Sequence, residues 1–187
     1  AAERVKRVHT RVHGTEPITD SFYTAEDPEL LLWVHCAEIH SFLASFRAYG
    51  GQIDEGEQDR YLAEQVRAAE LLDIPASDVP ATRAEYREYF AEMRPGLCVS
   101  EASRRALDLV VSPPMIRELL AIQAPLRVLA NAALAITPGY MRRMAGIERG
   151  AIRYGGAGAV TRAAGRLLKA PGFRSLPAFA VGRNTLA

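Results

Sequence analysis

The chain has 187 residues, of which 49% are hydrophobic and 24% are charged, the ordinary balance of a globular protein. Its 23 basic and 22 acidic residues leave a formal net charge of +1, which excludes a strongly basic nucleic-acid-binding domain. The two cysteines, Cys36 and Cys98, form no C-x-x-C motif, so we expect no disulfide framework and a reducing compartment. We therefore expect one cytoplasmic domain over residues 1–187 that binds no nucleic acid.

The sequence contains no candidate for a membrane span. Its longest apolar run, residues 128–138, is shorter than the roughly 18 to 20 residues that cross a bilayer, and Pro138 closes it. The first residues already have the helical spacing Val5, Val8 and Val12, without a capping residue ahead of them. We therefore expect that an N-terminal portion of the natural protein precedes Ala1.

Helical spacing recurs along the chain, and we find no strand pattern. The first helix is predicted to run to about His13, with Gly14 as its C-cap and residues 14–24 as a loop. The second helix is predicted over about residues 28–48, where Asp27 can cap its start. Because apolar residues cover nearly every face of this second helix, we expect it to be buried at the centre of an all-α helical bundle.

The segments that follow are also predicted to be helical. An acidic start introduces a helix over about residues 55–72. Thr82 and Glu85 form a capping box that opens another helix, which runs to about Met93. A later apolar stretch is predicted as two helical pieces broken at Pro125.

The C-terminal segment, about residues 155–187, is basic and contains almost no acidic residue. We predict a helix followed by a tail that docks on the domain. A cationic amphipathic helix is the alternative, which leaves peripheral membrane contact through the tail open. Homo-oligomerisation also stays open, because surplus apolar surface on the later helices could bury against a second copy.

All four histidines lie within residues 9–40. His9 and His13 are four residues apart, the spacing of helical two-histidine metal sites, and His35 and Glu38 share a face at i and i+3. A set of these four side chains has the ligand types for zinc or non-haem iron. The alternative is that His13 is an ordinary surface residue and that His35 is a core histidine bonded to a carbonyl or to Glu38.

Three segments in this order carry a resemblance to a known family: "VKRVHTRVHG", "YTAEDPELLLWVHCAEIHSFL" and "YLAEQVRAAELLDIPASDVPATRAEYREYFAEM". Together they resemble latex clearing protein (rubber oxygenase) and the MpaB oxygenase of mycophenolic acid biosynthesis. The resemblance covers about residues 4–112 and continues loosely to the C-terminus. The block "YTAEDPELLLWVH" is its most specific part.

The resemblance implies an all-helical fold that binds one haem b through a single histidine. The ligand of the family lies in a Val-x-x-Val-His segment, which here makes His9 the expected iron ligand. His13 would be an auxiliary polar residue or a contact to a propionate, and Arg7 and His35 complete the expected cofactor-binding set. The distal Arg-x-x-x-Thr segment of latex clearing protein lies about thirty residues upstream of its haem histidine, so we expect its counterpart ahead of Ala1.

The resemblance and the histidine spacing together give one leading hypothesis and two alternatives. The leading hypothesis is a haem b-dependent oxygenase that activates O₂ on a hydrophobic, unsaturated substrate, either a small molecule or a polymer. The first alternative is a haem-less helical module of the same family that serves binding or interaction. The second is a non-haem iron or zinc enzyme built on His9, His13, His35 and Glu38.

Overall fold

The structure is a computed structural model that describes residues 2–111, 120–147 and 151–169. These residues contain eight α-helices and one small antiparallel hairpin, so the prediction of an all-α fold is confirmed. None of the helices in the described ranges has the length and hydrophobicity that a membrane span needs.

The chain divides into two compact units. The first comprises residues 1–44 and 52–100, and the second comprises residues 45–51 and 101–187. The prediction of one domain over the whole chain stays a prediction. The elements are α1 (Ala2–His9), β1 (His13–Thr15), β2 (Phe22–Thr24), α2 (Pro28–Ser45), a π-helical turn (Phe46–Gly50), α3 (Glu55–Glu70), α4 (Arg83–Met93), α5 (Glu101–Val111), α6 (Leu120–Ile136), α7 (Gly139–Met144) and α8 (Ala151–Lys169).

The hairpin overturns the predicted end of the first helix. α1 stops at His9, and β1 pairs with β2 so that His13 lies opposite Thr24. The carboxylate of Glu16 closes the connection by accepting hydrogen bonds from the backbone of the turn. Gly14 is not a helix cap, because it lies in β1 and α1 has already ended at His9; a Cβ there would lie 3.1 Å from the Tyr23 hydroxyl on the opposite strand.

The second predicted helix is confirmed as α2, and Asp27 Oδ1 caps its start by accepting from the backbone N–H of Glu29 at 2.9 Å. The prediction that α2 is buried on all sides is wrong. Only one stripe of it is buried, and Val34 and Phe42 on other faces are 60% and 55% exposed. The cause is that α3 and α4 contribute their core residues to one side of α2 alone.

That buried stripe forms the core of the first unit. Cys36, Ile39 and Leu43 of α2 pack with Leu62 of α3 and Tyr86 of α4. A second cluster lies at the far end of α3, where Ala69, Ile74 and Val79 pack against Leu31, Leu32, Val66 and Leu72. The three helices therefore share one continuous apolar seam along α2.

The predicted capping box of α4 is confirmed. The Thr82 hydroxyl accepts from the backbone N–H of Glu85, and the Glu85 carboxylate accepts from the backbone N–H of Thr82, each at 3.2 Å. An equivalent box formed by Asp54 and Glu57 opens α3. Each box satisfies backbone donors that the first helical turn cannot pair internally, which is why these two starts are sharp.

In the second unit α8 packs against α6 and against the π-helical turn. The Tyr49 hydroxyl donates to the carbonyl of Ala132 at 2.7 Å, and a Cβ on Gly165 would come within 2.9 Å of the Tyr49 carbonyl oxygen. The glycines of α8 thus permit close helix packing. The predicted break at Pro125 is wrong, since α6 continues through it and loses only the hydrogen bond that a proline cannot donate.

α8 accounts for the first part of the predicted basic C-terminal segment. Residues 170–187, the predicted tail, lie outside the described residues.

Candidate functional site

His9 is the last residue of α1, and its carbonyl accepts from the backbone N–H of Val12 at 2.9 Å in the turn that follows. Its side chain is partly buried, and none of the described residues donates to or accepts from its imidazole. Val5 precedes His9 by four residues and therefore lies beside it on the helix surface. Val5 and Val8 are 41% and 54% exposed, so an open apolar patch adjoins this imidazole.

Lys6 fixes α1 to the rest of the first unit. Its ammonium group lies 2.7 Å from Asp73 Oδ2, in the turn that follows α3. Asp73 itself has a positive φ of 64°, a conformation that asparagine and aspartate tolerate better than most residues. The hydrogen bond to Asp73 raises the pKa of Lys6. The ion pair is largely exposed, so it stabilises only weakly the contact between the Val-x-x-Val-His segment and this turn.

Arg7 and His13 do not lie on the His9 face of α1. Arg7 is two residues before His9, which places its side chain about 200° away around the helix, and it is exposed. His13 lies in β1, exposed, with its ring 5.9 Å from the ring of Phe22. The prediction that His9 and His13 share a helical face is therefore wrong. A role of either residue at a cofactor stays a prediction.

The four-ligand metal set is not assembled. The described residues contain no group of three or more histidine, cysteine, aspartate or glutamate side chains that could hold a metal ion. The predicted metal site needs His9 and His13 on one face of an unbroken helix. The helix ends at His9, and His13 begins a strand.

His35 is the most unusual polar residue of α2. It is only 6% exposed, and its Nε2 atom has no hydrogen-bond partner. The expected bond to Glu38 is not formed at this atom. Burial lowers the pKa of His35 and the carboxylate of Glu38 opposes that shift, so the imidazole is neutral at pH 7. A buried, unpaired polar atom costs about 1 to 3 kcal/mol, which makes His35 a candidate for contact with a bound molecule.

An aromatic cluster lies on the other side of α2. The ring of Phe90 is the centre of it, 5.0 Å from His40, 5.6 Å from Tyr89, 5.8 Å from Trp33 and 6.1 Å from Tyr86. The sequence did not predict which residues of α2 and α4 meet in this cluster, because contact between separate helices leaves no local signal.

Cys36 and Tyr86 are the polar members of this core. Burial raises the pKa of the Cys36 thiol to about 11 and also raises the pKa of Tyr86. The Tyr86 hydroxyl is buried without a hydrogen-bond partner. Neither group is therefore available as a nucleophile or base at neutral pH.

The second unit has a cleft of about 250 Å³ between α6 and α8. It is lined by Arg127, Val128, Asn131, Ala157 and Val160. None of the residues predicted from the sequence lies in this cleft.

One of the comparisons with known proteins found a family that matches most of the chain. The family described as ER-bound oxygenase mpaB/B′/rubber oxygenase, catalytic domain, matches residues 1–170 of the chain. No curated protein and no solved structure matches the chain. The family match spans α1 to α8, including the Val-x-x-Val-His segment and His35. The chain therefore belongs to the mpaB/rubber oxygenase catalytic-domain family, as the resemblance predicted.

Proposed function

We propose that this chain is a haem b-dependent oxygenase domain that acts on a hydrophobic, unsaturated substrate. The observation that carries the proposal is the family match over residues 1–170, which includes a Val-x-x-Val-His segment whose histidine has no partner among the described residues. A bound haem would supply O₂ binding and activation at its iron.

The residues present suit such a group. His9 would hold the iron through one ring nitrogen, because its imidazole is partly buried and is not engaged by another side chain. Val5 and Val8 offer exposed apolar surface beside it, which suits the face of a porphyrin. His13 is exposed one short turn later and is proposed as a propionate contact. Arg7, predicted in the cofactor-binding set, lies on the opposite side of α1, so the proposal gives it no contact to a haem held by His9.

The chain's own contribution would be to position the cofactor and to exclude water. Lys6 pairs with Asp73 in the turn that follows α3, and this contact links α1, which ends at His9, to α3. The apolar seam along α2 keeps the interior of the first unit dry. His35, which is buried in the first unit, is proposed as a polar contact to the cofactor. The substrate class follows from the family names, rubber oxygenase and mpaB oxygenase, and is part of the proposal.

Visible absorption tests the proposal. The chain is expressed with haem supply and assayed for a Soret band and for pyridine haemochrome. We expect a Soret band that His9→Ala abolishes and that the matched variant His13→Ala retains. Absence of the band from the unmodified chain would contradict haem binding and favour a haem-less interaction module.

A further inference from the structure

The near-zero net charge of the chain is the sum of two large and opposite charges. The second unit contains 14 of the 23 basic residues but only 4 of the 22 acidic residues, which gives it a formal charge of +10. The first unit contains 9 basic and 18 acidic residues and has a formal charge of −9. A surface with such an excess of one sign attracts partners of the opposite sign. The second unit therefore favours an anionic partner.

Within this basic unit, α6 presents an apolar side to solvent. Leu126, Leu129 and Ala133 are spaced by three and four residues, so they lie on one side of the helix, and Pro125 lies one turn before Leu129. All four are exposed, and each leucine is 53% exposed. Arg127, the one charged residue of α6, lies at least about 100° from each of them around the helix. We call these four residues the α6 face.

Basic side chains accompany the α6 face. α8 packs against α6 and exposes Arg162 and Arg166, and α7, which follows α6, exposes Arg143. An apolar helix side combined with arginines suits the interface of an anionic bilayer, where apolar side chains enter the acyl boundary and guanidinium groups stay at the phosphates. None of the described helices is long and apolar enough to span a bilayer, so such a contact would be interfacial.

The size and composition of the α6 face distinguish a bilayer from other anionic partners. Four side chains, none larger than leucine, expose a few hundred Å² at most, well below the roughly 800 Å² that each partner of a stable dimer buries. Nucleic acids are bound by polar and cationic side chains that reach phosphates and base edges, and the α6 face offers none. A bilayer needs only one helix side, which enters it by about 5 to 10 Å.

We propose that the second unit docks on the surface of anionic phospholipid bilayers through the α6 face, while exposed arginines of the same unit contact the lipid phosphates. This proposal goes beyond the proposed function and does not depend on a bound haem. It predicts two separable contributions to binding, which are the electrostatic attraction of the unit and the insertion of the two leucines.

Sedimentation of the full chain with vesicles tests the electrostatic contribution. We expect binding to vesicles of equimolar phosphatidylcholine and phosphatidylglycerol, and at least about tenfold weaker binding to vesicles of phosphatidylcholine alone. Raising KCl from about 0.1 M to about 1 M shortens the Debye length from about 10 Å to about 3 Å and should weaken the binding to anionic vesicles at least about tenfold. Absence of binding to the anionic vesicles, or equal binding to both kinds, would overturn the proposal.

The double variant Leu126→Gln/Leu129→Gln tests the α6 face itself. It should lower the affinity for anionic vesicles at least about tenfold, because two half-exposed leucines no longer enter the acyl boundary. Ile18→Gln/Leu71→Gln is the matched control, since these aliphatic side chains are 57% and 59% exposed in the acidic unit, and it should leave the affinity unchanged. If the first double variant does not fold, Leu126→Ala/Leu129→Ala takes its place, because alanine is the strongest helix former.

Two outcomes would assign the α6 face differently. Vesicle binding that the leucine variants leave unchanged would show a general attraction to polyanions, nucleic acids included, and would overturn the role of the α6 face. Sedimentation equilibrium without vesicles gives the oligomeric state. A dimer that the leucine variants dissociate would show that a second copy covers the α6 face, which would also overturn the proposal. A monomer that loses vesicle binding when the leucines are replaced supports it.

Discussion

Replacing Tyr86 with phenylalanine should stabilise the protein. Tyr86 is 2% exposed, and its hydroxyl has no hydrogen-bond partner in the core of the first unit. Burial of an unpaired hydroxyl costs about 1 to 3 kcal/mol, and phenylalanine keeps the ring contact with Phe90 while it removes that cost. We take the lower end of this range, because the atom that is removed also leaves a small void.

An increase of about 1 kcal/mol in the free energy of unfolding corresponds to a rise of about 2 to 4 °C in Tm for a chain of this length. Urea denaturation followed by circular dichroism measures the change directly. Tyr61→Phe is the control, since Tyr61 is only partly buried and its hydroxyl is not among the buried unpaired atoms, and it should change the stability by less than about 0.5 kcal/mol.

The opposite result for Tyr86→Phe would refute the reasoning. The thiol of Cys36 is the neighbouring polar group of this core and contributes to the raised pKa of Tyr86. If thiol and hydroxyl form a hydrogen bond in solution, the substitution would break it and lower the free energy of unfolding by about 1 kcal/mol. A loss of that size would show that the Tyr86 hydroxyl is hydrogen-bonded to the Cys36 thiol and is not an unpaired group in an apolar core.

Three further predictions follow from the same structure. Thr82→Ala should lower the free energy of unfolding by about 1 kcal/mol because it removes the capping box, whereas Thr82→Ser should retain it, as urea denaturation would show. At pH 8 a thiol reagent should label Cys98, which is exposed, and leave Cys36 unreacted, because Cys36 is fully buried and has a pKa of about 11; two equivalents per folded chain would contradict this burial. Hydrogen bonds from the backbone N–H and the guanidinium of Arg83 lower the pKa of Asp59, so their stabilisation is present above the pKa of the unfolded carboxyl and is lost as pH falls through the lower folded value; Arg83→Met removes the guanidinium bond and keeps the backbone bond, so it should reduce this acid-side dependence of Tm without abolishing it, and an unchanged pH profile would contradict it.

Features that depend on a few neighbouring residues were predictable from the sequence. The capping box of Thr82 and Glu85 depends on two residues only three positions apart, and its two hydrogen bonds form as predicted. The start of α2 at Asp27 is equally local. The family was also recognisable, because three motifs in a fixed order identify a family more specifically than any one of them does.

Features that depend on pairing between distant residues were not predictable in this way. The valine spacing through Val12 fits a helix, and only pairing of residues 13–15 with residues 22–24 shows that the chain has become a hairpin. The exposure of Val34 was missed for a similar reason, since an apolar residue on a helix does not show which neighbour covers it. The sequence did indicate that His35 would be buried and in need of a partner. Only the structure shows that its Nε2 lacks one.

Chemical rescue of the proposed iron ligand tests the central claim most directly. His9→Gly removes the imidazole from the end of α1, and the variant is then prepared with haem, with and without imidazole in the buffer. We predict that His9→Gly lacks the Soret band of the unmodified protein and that added imidazole restores it, because the free ligand can occupy the position of the lost side chain. A Soret band of full intensity in His9→Gly without imidazole would contradict the assignment of His9 as the ligand that holds the haem.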